Sequence, residues 1–283
     1  MKQLTLCLCA ISALFLCSCK GDANEPEGKQ QVVFKVTAFN QSTEPMNSPR
    51  KAPQATILDD EGGVALTDLY VFDGTTQLAH QTNDDPSFGT VTLNLSHGDH
   101  SLSFVLTRSA GLSYNAGVLS ATSLRSTFGK TLALNVSAST PAQDLTLERL
   151  TGLVSVTIND AFPATANEIE FVINPRYTSL NVATLCGVSG SEFRQKVSCT
   201  SKVGQSGVQY SFNILAPSRD EEFTADVTIN IYNSSSDVIY SVTIDDVRMA
   251  ANTKTLISGN LFTSPSASVT VNTTWNTSIV GTW

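Results

Sequence analysis

The amino-acid sequence predicts an all-β chain built of antiparallel β-sandwiches, and three observations carry that expectation. From Gln31 onward the dominant hydrophobic period is two, with β-branched and aromatic residues alternating against Ser, Thr, Asn and Gln. Gly and Asn-Asp clusters divide these runs at short intervals. Helix signals are nearly absent. The chain has 283 residues, 41% of them hydrophobic and 15% charged, which is ample for a core and excludes wholesale disorder. At ~150 residues per domain this length suits one large or two smaller domains. A formal net charge of −8 argues against nucleic acid or an anionic membrane as partner, because phosphates would be repelled.

Met1 and Lys2 precede an uncharged stretch from Gln3 to Cys19. Its apolar centre, Leu4 to Leu16, is too short to span ~30 Å of hydrocarbon, so residues 1–18 read as an export signal peptide. The signal closes on Leu16-Cys17-Ser18-Cys19, an apolar residue at −3 and a small one at −1 before a cysteine. That pattern resembles a bacterial lipobox and makes Cys19 the expected lipidation site. Cys17 fits less well, since Leu16 would then occupy the small position. Acyl chains would anchor a soluble body to a membrane. Residues 19–30 are the lipidated tether, polar and rich in Gly, Pro and Glu. Acidic residues shortly behind such a cysteine resemble the signal that sends Bacteroidetes lipoproteins to the outer cell surface.

The strands follow in order. Val32, Phe34, Val36 and Ala38 share one face of the first. Leu69 and Val71 face one way and Tyr70 and Phe72 the other in the next, which ends at the turn dipeptide Asp73-Gly74. Val91, Leu93, Leu95 and Leu102, Phe104, Leu106 flank His97-Gly98-Asp99, which predicts a hairpin. Val118 to Phe128 is the single helix candidate. Further runs are centred on Leu134, Val156, Phe171, Tyr210, Ile229, Val242 and Val271, with Ser234 to Ser236 as a second hairpin turn. A dozen short strands exceed what one sandwich of ~100 residues needs, so two tandem sandwiches are expected. The small polar stretch Ser137 to Asp144 is the boundary, giving units 31–143 and 144–283.

Residues that could carry chemistry are few. Cys7, Cys9 and Cys17 leave with the signal and lipid consumes Cys19, so Cys186 and Cys199 remain, thirteen positions apart. Outside the cytoplasm they are either a disulfide pair or two buried thiols, and alone they are too few for zinc. His97 and His100 flank Asp99 at a glycine turn, where a metal would still lack a third ligand. Ser189 and Ser206 lie among glycines without completing a nucleophile elbow. Asp59-Asp60-Glu61, Asp84-Asp85 and Asp245-Asp246 lack the spacing of a calcium loop and read as solvated turns. Asn94, Asn135 and Asn272 open Asn-x-Ser/Thr triplets that follow from composition. Trp275 and Trp283 are either sandwich-closing residues or sugar platforms. No catalytic constellation emerges, so the chain is expected not to be an enzyme and to need no cofactor.

Taken together, the lipobox at Cys19, Val32 to Val36 (VVFKV), Leu66 to Gly74 (LTDLYVFDG), the Leu95 to Phe104 segment, Leu147 to Ile158 (LERLTGLVSVTI) and Asn252 to Phe262 (NTKTLISGNLF) resemble the Bacteroidales fimbrillin superfamily. Its members are lipoprotein precursors of type V pili and their accessory and anchor subunits. The resemblance implies two transthyretin-like β-sandwiches per subunit, and assembly with other fimbrial subunits by β-strand addition. It implies maturation by an arginine- or lysine-specific protease in the first loop. Here that loop, Asn40 to Ala55, carries Pro45, Pro49 and Pro53 around the basic pair Arg50 and Lys51. Cleavage at Arg50 would release the lipid together with the first strand, about eight residues or ~26 Å long. A removable edge strand would leave a groove for a neighbour, with Ser268 to Trp283 as candidate donor.

The expected function is therefore a structural subunit of a cell-surface fimbria with a role in adhesion to a host or bacterial surface receptor, lipid-anchored at the outer membrane before assembly. One alternative is an uncleaved lipidated anchor subunit. Another is a glycan-binding surface lipoprotein, which would need two or three aromatic rings side by side on one face.

Overall fold

A computed structural model describes residues 28–38, 64–263 and 266–272. Among them lie twenty strands: β1 (Lys29–Thr37), β2 (Asp68–Asp73), β3 (Thr76–Thr82), β4 (Thr90–Ser96), β5 (Gly98–Thr107), β6 (Ala110–Asn115), β7 (Val118–Ser123), β8 (Thr127–Val136), β9 (Gln143–Thr146) and β10 (Glu148–Arg149). The chain continues through β11 (Thr151–Ile158), β12 (Glu168–Arg176), β13 (Ser179–Asn181), β14 (Cys186–Val188), β15 (Ser191–Ser198), β16 (Val208–Leu215), β17 (Phe223–Tyr232), β18 (Val238–Met249), β19 (Lys254–Asn260) and β20 (Ser266–Asn272). The only helical turn among the described residues is a 3-10 turn at Thr200–Lys202. The protein is thus an all-β sandwich fold of mainly antiparallel sheets.

Alternation explains the packing. In β4, Val91, Leu93 and Leu95 are buried while Thr90, Thr92 and Asn94 face solvent. The sheet β4-β1-β9 packs through this face on the sheet β10-β8-β5-β2-β3. The shared core includes Val32, Phe34, Val36, Leu69, Val71, Leu102, Phe104 and Leu106. A second pair sets β16-β11-β19-β20 against β15-β12-β17-β18 around Val154, Val156, Ile169, Phe171, Ile229 and Ile231. A small sheet, β14-β13-β7-β6, joins strands from both halves of the sequence. It covers a third cluster in which Tyr70, Phe72 and Val105 meet Leu119, Leu180 and Leu215. Apolar residues on both faces of β2 are buried because different layers cover the two faces.

Four features differ from expectation. The two strands around His97-Gly98-Asp99 form no hairpin, because β4 pairs with β1 whereas β5 pairs with β2 and β8. Gly98, at φ +122°, turns the chain from one sheet to the other, and the inward leucines of both strands then meet across the core. The helix candidate is instead β7 and the start of β8, with Leu119, Leu124 and Phe128 buried. Asp245-Asp246 is no turn but a bulge inside β18, where Asp246 takes φ +55° and its N–H donates to Asp226. Finally, β1 is not an edge strand, since it is bonded on both sides. The turn at Asp73-Gly74 and the hairpin at Ser234 to Ser236 form as expected, and the first of them joins β2 to β3 as a further hairpin. Leu145 and Leu147, in the run that the sequence assigns to the second unit, lie in the first core.

Phe34 is fully buried and its ring centroid lies 5.2 Å from that of Phe104. Phe34→Ala should lower the stability of the uncleaved chain by ~3–5 kcal/mol, read from urea unfolding. A change below ~1 kcal/mol would mean that β1 is not packed in the core.

Candidate functional site

The slot that holds β1 is built from backbone first. Along one side, β1 runs antiparallel to β4 with Val32 opposite Leu93 and Phe34 opposite Val91. Along the other it runs parallel to β9, with Phe34 opposite Gln143 and Val36 opposite Leu145. Further main-chain bonds seal the ends, Val36 N–H to Gly89 O at 2.7 Å, Leu147 N–H to Thr37 O at 2.8 Å and His97 N–H to Gly28 O at 2.8 Å. Val32, Phe34, Val36 and Ala38 fill consecutive inward positions, with at most 4% exposure each. Without β1, two facing rows of backbone groups and a line of apolar pockets at every second residue would stand open. That arrangement can take any extended segment with apolar residues in the same alternation.

Towards the other end of the chain, β20 lies at a sheet edge, paired among the described residues only with β19, and Val269 on it is 36% exposed. The loop before it is held by Asp160, whose carboxylate accepts the N–H groups of Leu261, Phe262 and Thr263 at 3.1, 2.6 and 3.0 Å. Burial alone would raise the Asp160 pKa, but these three donors outweigh it and hold the carboxyl below its ordinary value.

Cys19, Arg50, Lys51, Asp59 to Glu61, Trp275 and Trp283 lie outside the described residues. Cys186 and Cys199 are free thiols. Cys186 is half-buried and its thiol faces the Thr184 carbonyl at 3.4 Å, whereas Cys199 sits in the second core, where burial pushes its thiol pKa up. His97 and His100 do not converge on Asp99, which instead accepts a bond from Asn135 at 2.5 Å. The His100 ring bridges the Asp73 carboxylate at 2.6 Å and the Ser96 carbonyl at 3.0 Å. Burial disfavours a charged ring, but these acceptors and the charges of Asp73 and Asp99 outweigh it and raise the His100 pKa. Ser189 is a turn residue at φ +58°. Asp85 caps its own turn by accepting the Thr82 N–H at 2.6 Å. Among the described residues, no three His, Cys, Asp or Glu side chains converge as metal ligands.

One feature has no local signature in the sequence. A polar cleft opens between residues 122–125 and strands β12, β15 and β16, and three arginines, Arg125, Arg176 and Arg194, line it. They lie far apart along the chain. The single hint is Arg176, an arginine that ends an otherwise apolar strand core.

No protein-family model matches the sequence, and no curated protein matches it. Among solved structures, the chain is similar to a candidate adhesin from Bacteroides ovatus, with 10% identity and a TM-score of 0.52 over 77% of this chain and 82% of that one. A candidate cell adhesion protein from the same species has 11% identity and a TM-score of 0.47 over 89% and 99% of the two chains. The fimbrial anchor protein Mfa2 from Porphyromonas gingivalis has 13% identity and a TM-score of 0.45 over 86% and 97%. The first of these likenesses establishes a shared fold.

Two titrations follow from the geometry. Asp160→Ala should cost ~1.5–3 kcal/mol at neutral pH, the worth of bonds to a charged acceptor. Because the folded pKa is lowered, the gap to wild type should be full above the ordinary carboxylate value of ~3.9 and close as pH falls through the lower folded value, measured by urea unfolding. For His100→Gln the sign reverses, since the folded pKa is raised. Its gap should be full below ~6.5 and vanish as pH rises through the folded value, which NMR titration of the ring locates.

Proposed function

We propose that this chain is a fimbrial or adhesion-related subunit of the bacterial cell surface, exported as a lipoprotein through Cys19 and joined to other fimbrial subunits by β-strand addition. The observation that carries this reading is the slot of β1, a strand bonded on both sides with four inward side chains buried. A shared fold with the candidate adhesin from Bacteroides ovatus supports it. Proteolysis at Arg50, beside Lys51, would cut the covalent link between β1 and β2 and leave β1 held by non-covalent contacts alone. A strand from a neighbouring subunit with the same alternation could then take its place, gaining two rows of backbone bonds. The segment from Ser268 onward, bearing Val269, Val271, Ile279 and Trp283, is the proposed donor. Its first residues already have the extended form, at an exposed sheet edge.

In this reading the chain divides into units 31–143 and 144–283, with β9 returning from the second stretch to complete the first sheet. Its role is structural and adhesive rather than enzymatic, at the outer membrane before assembly and in the fimbria after it. The alternative of an uncleaved lipidated anchor has its own support, because a chain that keeps β1 fills its slot without a partner.

The test is the N-terminal sequence and intact mass of the protein recovered from its native cell surface. A chain starting at Lys51 is the expected result, and an Arg50→Ala, Lys51→Ala double variant should keep its N-terminus at an acylated Cys19 and lose assembly. Wild-type protein starting at an acylated Cys19 would overturn the cleavage step and leave the anchor.

A further inference from the structure

We propose that the cleft between residues 122–125 and strands β12, β15 and β16 binds a carboxylate-bearing sugar unit, as found in uronic-acid glycans. This goes beyond the assembly reading and does not depend on it, because the cleft is formed by residues away from the slot of β1.

Arg176 is 7% exposed, and its guanidinium carbon lies 3.8 Å from the centre of the Phe193 ring. Its Nε and one Nη donate to the Asn213 carbonyl at 3.1 and 2.8 Å, and no carboxylate among the described residues pairs with it. A buried cation without a counter-ion is uncommon and unfavourable. Burial first, and then the nearby charge of Arg125, push the Arg176 pKa down to about 10, so it stays charged at neutral pH. Arg125 is exposed and forms no ion pair among the described residues. The third cation, Arg194, is already engaged. Its Nε is 2.7 Å from Glu192, and an Nη is 3.6 Å from Glu170. Glu170 in turn accepts bonds from Asn230 and Tyr232 at 3.0 and 2.8 Å. The carboxylates of this region therefore satisfy their own network, and two guanidinium groups are left lining the cleft without a counter-ion among the described residues.

The remaining wall selects among anions. Asn213 is 7% exposed, its side-chain amide makes no hydrogen bond to the described residues, and its Oδ1 is fully buried. The buried Oδ1 is out of a ligand's reach, so the amide offers the cleft its N–H donors, which a sugar hydroxyl can accept. Inorganic phosphate, largely ionised, offers mainly acceptors. Thr122, Ser123, Gln195 and Ser211 add further polar groups of mixed character. The cleft holds about 270 Å³, below the range of sites for drug-sized ligands and suited to a single ring. A carboxylate on Arg125 and Arg176, with ring hydroxyls on the Asn213 Nδ2 and on the mixed polar groups beside it, would give both cations a counter-ion and the wall its hydrogen-bond partners.

The probe is D-glucuronate titrated into the full chain by calorimetry, with glucose, acetate and inorganic phosphate as comparators. Saturable binding of glucuronate is expected, with each comparator at least about tenfold weaker, a difference of ~1.4 kcal/mol. Arg125→Ala, at an exposed position, should weaken it by about tenfold without changing the thermal unfolding midpoint. Arg176→Gln should abolish it, and its unfolding midpoint shows whether the fold is kept. Absence of glucuronate binding, equal binding of glucose, acetate or phosphate, or an unchanged affinity in Arg125→Ala would overturn the proposal.

Discussion

Main-chain hydrogen bonding on both sides of β1 is the constraint on which the first half of this molecule rests. A buried N–H or C=O left without a partner costs as much as a lost hydrogen bond, and β4 and β9 each turn a row of such groups towards β1. Val32, Phe34 and Val36 add apolar burial of ~1.5–3 kcal/mol each. Together these terms are comparable with the whole net stability of a typical domain, ~5–15 kcal/mol. Without β1 or an equivalent strand, the first sheet would consist of two strands that are not bonded to each other.

The connectivity makes β1 separable in principle. Its partners lie near residues 90 and 143, and the next described strand begins at Asp68 in the opposite sheet. Among the described residues, the strand partners of β1 are therefore all distant from it in sequence. A segment held in this way behaves as an intramolecular ligand, whose effective concentration falls once the link is cut. Among the described strands of the second half, the centre of each sheet is held by internal strands, β11 and β19 in one and β12 and β17 in the other. Its β20 lies at an edge, and Asp160 fastens the loop before it through three N–H groups.

Much of this architecture was legible as a period of two. Val91, Leu93 and Leu95 had to share a face, and so did Val32, Phe34 and Val36, because successive side chains in a strand point to opposite sides. What periodicity does not encode is the partner of each face and edge. The leucines of β4 and β5 suit a hairpin or a crossover equally well, and only the turn at Gly98 into the opposite sheet decides between them. Likewise, nothing within Lys29–Thr37 says whether one neighbour or two will bond to it. Val118 to Phe128 suggested a helix because its small residues blur the alternation. The arginine cleft was illegible for a different reason. Arg125, Arg176 and Asn213 come from separate elements that only the packing of β12, β15 and β16 against residues 122–125 brings together.

Hydrogen exchange of the full chain, followed by mass spectrometry before and after cleavage with an arginine-specific protease, tests the role of β1 most directly. Segments 29–37, 90–96 and 143–146 should be protected together in the intact chain. After cleavage the last two should lose protection only when the fragment bearing β1 departs. Rapid exchange throughout 29–37 in the intact chain, with 90–96 and 143–146 still protected, would contradict the account.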